Sequence, residues 1–159
     1  MNRSRFLLAA VACAISAAIA SAYASAPPDQ YGSFNRDNVV IRDAHTLLTW
    51  QRGVAPTEMT QAGAASFCAG LMLNGAGPWR LPTYKELLTL VDENLSDDFV
   101  NGAPVKKAID LNAFPDTPEK PFWSSSNVAG AATGWVVEFA TGSSGMYTLS
   151  TTAYVRCVQ

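Results

Sequence analysis

The side chains that could carry chemistry are few, and their types exclude more than they permit. The chain has one histidine, His45, and three cysteines, Cys13, Cys68 and Cys157. A single imidazole leaves no histidine pair for a zinc site and only one partner for any nucleophilic serine. Ser143-Ser144 lies between Gly142 and Gly145 without the Gly-x-Ser-x-Gly elbow, so serine hydrolysis is not expected. Gly75-Ala76-Gly77-Pro78 begins like a dinucleotide loop, yet it lacks a third glycine and follows a helical pattern instead of a strand, which makes it a turn. The carboxylates Asp92, Glu93, Asp97 and Asp98 could collect oxygen ligands for calcium, but their spacing is not that of an EF-hand loop. A solvated helix end is expected there, with no metal and no cofactor. Lys106, Lys107 and Lys120, with Phe114 and Phe122 nearby, could form a small basic platform for an anionic sugar or a protein. These three lysines are the candidate ligand-binding residues, against the plainer alternative of ordinary exposed side chains.

The elements that must position these residues follow an export segment. Arg3 and Arg5 precede an apolar run from Phe6 to Ala20, and Ala22-Tyr23-Ala24 supplies the small residues of a cleavage site. Residues 1–24 are thus expected to be a signal peptide cut before Ser25, with lipoprotein processing at Cys13 as a weaker alternative. The run is too short and too rich in alanine for a membrane span. Its loss removes Arg3 and Arg5, taking the 11 basic side chains to 9 against 13 acidic ones, a net charge of −4. A mildly acidic domain of this size is a poor nucleic-acid binder. Cys13 also leaves, so Cys68 and Cys157 remain in an oxidising compartment, periplasmic or extracellular. They are expected to form a disulfide, stabilising the fold by about 4 kcal/mol through closure of a loop of about 90 residues; the alternative is a reactive thiol pair.

Residues 25–37, rich in Pro, Ser, Asp and Asn, are expected to form a flexible leader that becomes ordered near Tyr31, and residues 38–159 the domain. Val39 to Ile41 and Leu47 to Trp50 suggest an early hairpin, with His45 as an exposed residue of its turn. Met59, Ala64, Phe67, Cys68 and Leu71 recur at helical spacing within 57–71. A second helix opens at Thr83, where Glu86 three residues on completes a capping box. Residues 94–121 carry four prolines and no period, so a long loop is expected. Three strand-like runs close the chain: Phe122 to Ser124, Trp135 to Phe139, and Tyr147 to Val158. The expected class is α+β, with two helices packed on short antiparallel strands and a long loop region. Trp50, Trp79, Trp123 and Trp135 fall in or beside these elements and are expected in the core before any sugar-stacking role.

Four blocks resemble a known family. Thr46-Leu47-Leu48-Thr49-Trp50-Gln51-Arg52, Trp79-Arg80-Leu81-Pro82-Thr83-Tyr84-Lys85-Glu86-Leu87-Leu88, Phe122-Trp123-Ser124-Ser125-Ser126 and Tyr154-Val155-Arg156-Cys157-Val158 are similar, in that order, to the Lcl C-terminal domain, domain-of-unknown-function family 1566. The resemblance implies a C-type-lectin-like fold, related to that of formylglycine-generating enzymes, in which a first-helix cysteine pairs with one in the final strand. It marks Trp50, Arg80, Thr83, Glu86 and Trp123 as structural positions. Leu47 stands where the family commonly has glycine, and Gly63 where an acidic residue often completes the capping box of the first helix. The calcium-lectin signatures are absent, and so is the catalytic cysteine pair of formylglycine-generating enzymes. Thr83 and Glu86 are expected to cap the second helix, with Arg80 held by a carboxylate or by backbone carbonyls. The function expected is a secreted or periplasmic non-enzymatic module that binds a glycan or an envelope protein through its loops. A formylglycine-generating or other hydrolytic enzyme, and a purely structural envelope component, are the alternatives.

Overall fold

In the computed structural model, residues 26–27, 29–32, 39–73, 75 and 77–159 are described. The expected signal peptide lies outside them. The early hairpin forms from β1 (Val40–Arg42) and β2 (Thr49–Gln51), which place Ile41 opposite Trp50, both fully buried. Asp43 shapes the turn between them by accepting hydrogen bonds from the backbone N–H of His45 (2.8 Å) and Thr46 (3.1 Å). Burial of its carboxyl acts to raise the pKa, but the hydrogen bonds from Thr46, Gln30 and His45 outweigh it and hold the group below the usual range. His45 is exposed in this turn, and Leu47 closes it with φ at 62°, the left-handed region that favours glycine.

The first helix, α1 (Gln61–Gly70), is shorter than its periodicity suggests. Thr60 caps it by accepting from Gly63 N–H, while Met59 is drawn into an extended pairing with Ala153. Cys68 and Ala64 face the core. The second helix, α2 (Tyr84–Leu88), has the expected capping box: Thr83 Oγ1 accepts from Glu86 N–H, and the Glu86 carboxylate accepts from Thr83 N–H at 2.7 Å.

The 94–121 region is not one long loop. It contains a hairpin of β3 (Ser96–Val100) and β4 (Ala103–Lys107), turning through Asn101 (φ 52°) and Gly102 (φ 80°). Two successive left-handed residues make the tight connection that matches strand twist, and Asn-Gly is the pair best suited to it. The loop proper is confined to 108–120.

The closing sheet is antiparallel, in the order β5 (Pro121–Asn127), β6 (Thr133–Glu138), β7 (Ser143–Thr148). Ser143 to Gly145 lie in β7, and the turn before it falls at 139–142, where Gly142 adopts φ 73°. A last strand over 147–158 does not form as one element. Beyond Thr148 the chain turns, and residues 153–158 then pair one residue at a time with different segments: Ala153 with Met59, Tyr154 with Phe122, and Val158 with both Trp50 and Arg80. This threading joins two core clusters. Trp50, Leu87, Phe114, Phe122, Phe139 and Val158 belong to one; Cys68, Trp79, Trp123, Val155 and Cys157 belong to the other. Cys68 and Cys157 are disulfide-bonded, with Cα atoms 5.5 Å apart. Trp135 alone among the tryptophans is half-buried, stacked on Tyr84 at 4.9 Å. The architecture is α+β, built from small antiparallel sheets and two short helices among the described residues, none of them long and apolar enough to cross a membrane.

Candidate functional site

The three candidate lysines do not form one platform. Lys106 and Lys107 are neighbours in β4, and successive strand residues point to opposite faces. Lys106 remains outside, paired with its cross-strand partner Asp97 at 2.6 Å. Lys107 turns inward and is only 3% exposed, its ammonium donating to Asp98 Oδ2 and to the Thr117 carbonyl, both at 2.5 Å. Lys120 is exposed just before β5. Phe114 and Phe122, expected beside the lysines, are fully buried in the core.

Lys107 instead holds the β3–β4 hairpin against the 108–120 loop. Its hydrogen bond keeps the Asp98 carboxyl below the usual carboxylate range, with help from Phe99 N–H. Thr117 receives from two buried cations. Its carbonyl accepts from Lys107, while its hydroxyl accepts from Arg156 Nη2 at 3.0 Å and donates to the Phe114 carbonyl. Arg156 is wholly buried, with no carboxylate paired to it among the described residues, lying 4.6 Å from the Phe114 ring centroid and 5.5 Å from that of Phe122. The rings offset part of its desolvation through cation–π attraction. Burial nonetheless pushes its pKa down to about 9, against the pull of Tyr31. Sequence reasoning missed this role of Arg156, although its place beside Cys157 in the closing block was a signal of interior position.

Between hairpin and loop lies an open cleft of about 530 Å³, lined by Asp97, Asp98, Phe99, Val100, Lys107, Leu111, Pro115, Asp116, Thr117 and Pro118. Phe99 is 71% exposed, the most exposed large hydrophobic residue among those described. The cleft therefore joins an accessible aromatic face to three carboxylates, with its only lysine turned onto Asp98 and Thr117. Phe99 was not a candidate from sequence, because the segment lacked a period; the Asn101-Gly102 pair was the available signal for the strand that carries it.

Arg80 donates from Nη1 and Nη2 to the two Glu86 oxygens, at 2.8 and 2.7 Å, in a bidentate pair. The Arg80 hydrogen bonds, then those from Thr83, hold the Glu86 carboxyl down to about 2 against the effect of burial; the same pairing raises Arg80. Of the acidic group, Asp97 and Asp98 are ion-paired and Asp92 is buried. Among the described residues, no group of three or more His, Cys, Asp or Glu side chains could hold a metal ion.

Compared with protein families, residues 39–159 match the Lcl C-terminal domain. The chain belongs to that family. No curated protein matches it. Within this Lcl C-terminal domain the two departures from the family pattern have visible settings. Leu47 occupies the left-handed turn position, and Gly63 sits at the third residue of α1, where its N–H meets the Thr60 cap.

Proposed function

We propose that this Lcl C-terminal domain protein is an exported, non-enzymatic binding module on a C-type-lectin-like scaffold, and that it takes a glycan in the Phe99 cleft. The observation that carries the reading is the joining of an exposed aromatic face to the Asp97, Asp98 and Asp116 carboxylates in one open cleft. A sugar ring presents an apolar C–H face to an aromatic and hydroxyl donors to carboxylates, so this pairing of groups suits it. The bond between Cys68 and Cys157 fits an oxidising compartment, periplasmic or extracellular. It also consumes the only cysteines outside the export segment, which supports binding over a thiol-dependent formylglycine-generating activity.

The test is a glycan array probed with the oxidised exported protein, repeated with EDTA, at high salt, and with Phe99→Ala. Binding abolished by Phe99→Ala with the fold intact supports the cleft. Binding unaffected by that change overturns it, and binding to envelope proteins alone replaces the glycan with a protein partner. EDTA sensitivity would introduce a calcium ion, and salt sensitivity would return Lys106 and Lys120 to the site.

A further inference from the structure

The bend at 92–96 leads into β3, and it turns an asparagine outward. Asp92 anchors it, 8% exposed, its Oδ1 accepting from Asn94 N–H at 2.8 Å. Glu93, Asn94 and Leu95 then stand exposed in succession, and half-buried Ser96 begins the strand. The backbone of Asn94 is therefore fixed while its side chain is not: among the described residues, neither its amide nor the Ser96 hydroxyl has a hydrogen-bond partner. Asn94-Leu95-Ser96 is Asn-x-Ser with x other than proline, the acceptor pattern for N-linked glycosylation. An amide nitrogen is a weak nucleophile, its lone pair delocalised into the carbonyl, so a transferase has to hold and polarise it. In extended chain, residues two apart share a side, which sets the hydroxyl beside the amide for the same enzyme site to read.

The pattern recurs only at Asn2-Arg3-Ser4, which is lost with the export segment. Asn101, Asn112 and Asn127 are exposed too, but Ala103, Phe114 and Ala129 stand two places after them. Exposure and pattern thus coincide once among the described residues. We propose that Asn94 is an acceptor site for an N-linked glycan, its donor a lipid diphosphate-linked oligosaccharide. Asn94 Nδ2 bonds to the anomeric carbon of the donor as the bond from that carbon to the diphosphate oxygen breaks. Nδ2 gives up one proton and the lipid diphosphate departs, with no change of oxidation state. This rests on the export reading, because an exported chain is the one that meets such donors, and not on the glycan-binding cleft. The folded domain accommodates the addition: no hydrogen bond of the Asn94 side chain is lost, and the glycan extends into solvent beside Leu95, 41% exposed. The domain then carries a sugar of its own just ahead of the strand that presents Phe99.

The test uses the full chain, exported from a bacterial host that carries an oligosaccharyltransferase and its lipid-linked donor, with a flexible acceptor segment fused after Gln159 as an internal control. Mass spectrometry of the tryptic peptide from Glu86 to Lys106 reads the site. That peptide is expected to gain the mass of the oligosaccharide less one water. Asn94→Gln should abolish the gain, leaving the thermal melt and the glycan on the control segment unchanged. Ser96→Ala should abolish it with the asparagine still in place, which separates this chemistry from any other reaction of an exposed amide. A modified control segment beside an unmodified Asn94 overturns this proposal and leaves the export reading standing. A gain that persists in Ser96→Ala also overturns it, because the transfer is then not reading the tripeptide. A chain that still begins at Met1 with its control segment unmodified overturns the export reading and this proposal with it.

Discussion

The segment at 153–158 and the β3–β4 hairpin are held by opposite means. The first is bound by a disulfide, by buried tryptophans and by pairings with residues far away in sequence, such as Trp50 and Met59. The second pairs with no other strand among the described residues, and within it only Lys107 is buried. Its own contacts are local: an Asn-Gly turn and a cross-strand ion pair between Asp97 and Lys106. One region needs most of the chain to exist, and the other needs twelve residues and one anchor. The comparison teaches that a scaffold of long-range pairings can carry a face held largely by local contacts, with Lys107 bridging that face to Thr117.

The largest expected effect breaks the first region. Cys68→Ala combined with Cys157→Ser should lower unfolding stability by about 4 kcal/mol, as read by urea denaturation. Next is the anchor of the second. Lys107→Met keeps the apolar stem but strands the Asp98 carboxylate and the Thr117 carbonyl, and should cost about 2 kcal/mol. If the regions are separable, hydrogen exchange in that variant should rise across 96–107 while remaining slow near Val155 and Val158.

Smaller effects sharpen the picture. Glu86→Gln retains the reach to Thr83 but loses the charge pair with Arg80, and should cost about 1 kcal/mol at pH 7. The Glu86 pKa is lowered on folding from 4.5 to about 2, so its contribution is complete above pH 4.5 and is lost as pH falls toward 2. Wild type and Glu86→Gln should therefore converge in an acid unfolding series. The least effect is expected of Leu47→Gly. Relief of the left-handed strain is about 1 kcal/mol or more, and the greater freedom of unfolded glycine offsets part of it, leaving a gain of about 0.5 kcal/mol in a thermal melt.

The same division explains what could be read in advance. Thr83 with Glu86, the hairpin around Trp50, and the pairing of Cys68 with Cys157 rest on local capping, on alternation, and on cysteine number, all of which are visible in one dimension. Residues 153–158 read as a strand because Tyr154, Val155 and Val158 favour extended backbone, yet they form no ladder, since their partners come from four separate segments. Lys106 and Lys107 read as a platform because adjacency in sequence was taken for adjacency on a surface; strand geometry separates them. Phe99 became visible only once its hairpin was seen to project it into solvent.

The threading of the closing residues also governs when the protein can fold. Val158 pairs with both Trp50 and Arg80, and Cys157 carries the far end of the disulfide. No nascent chain lacking these residues can complete its interior, so the core closes only after synthesis has passed Val158. Contacts spanning such sequence distances form slowly.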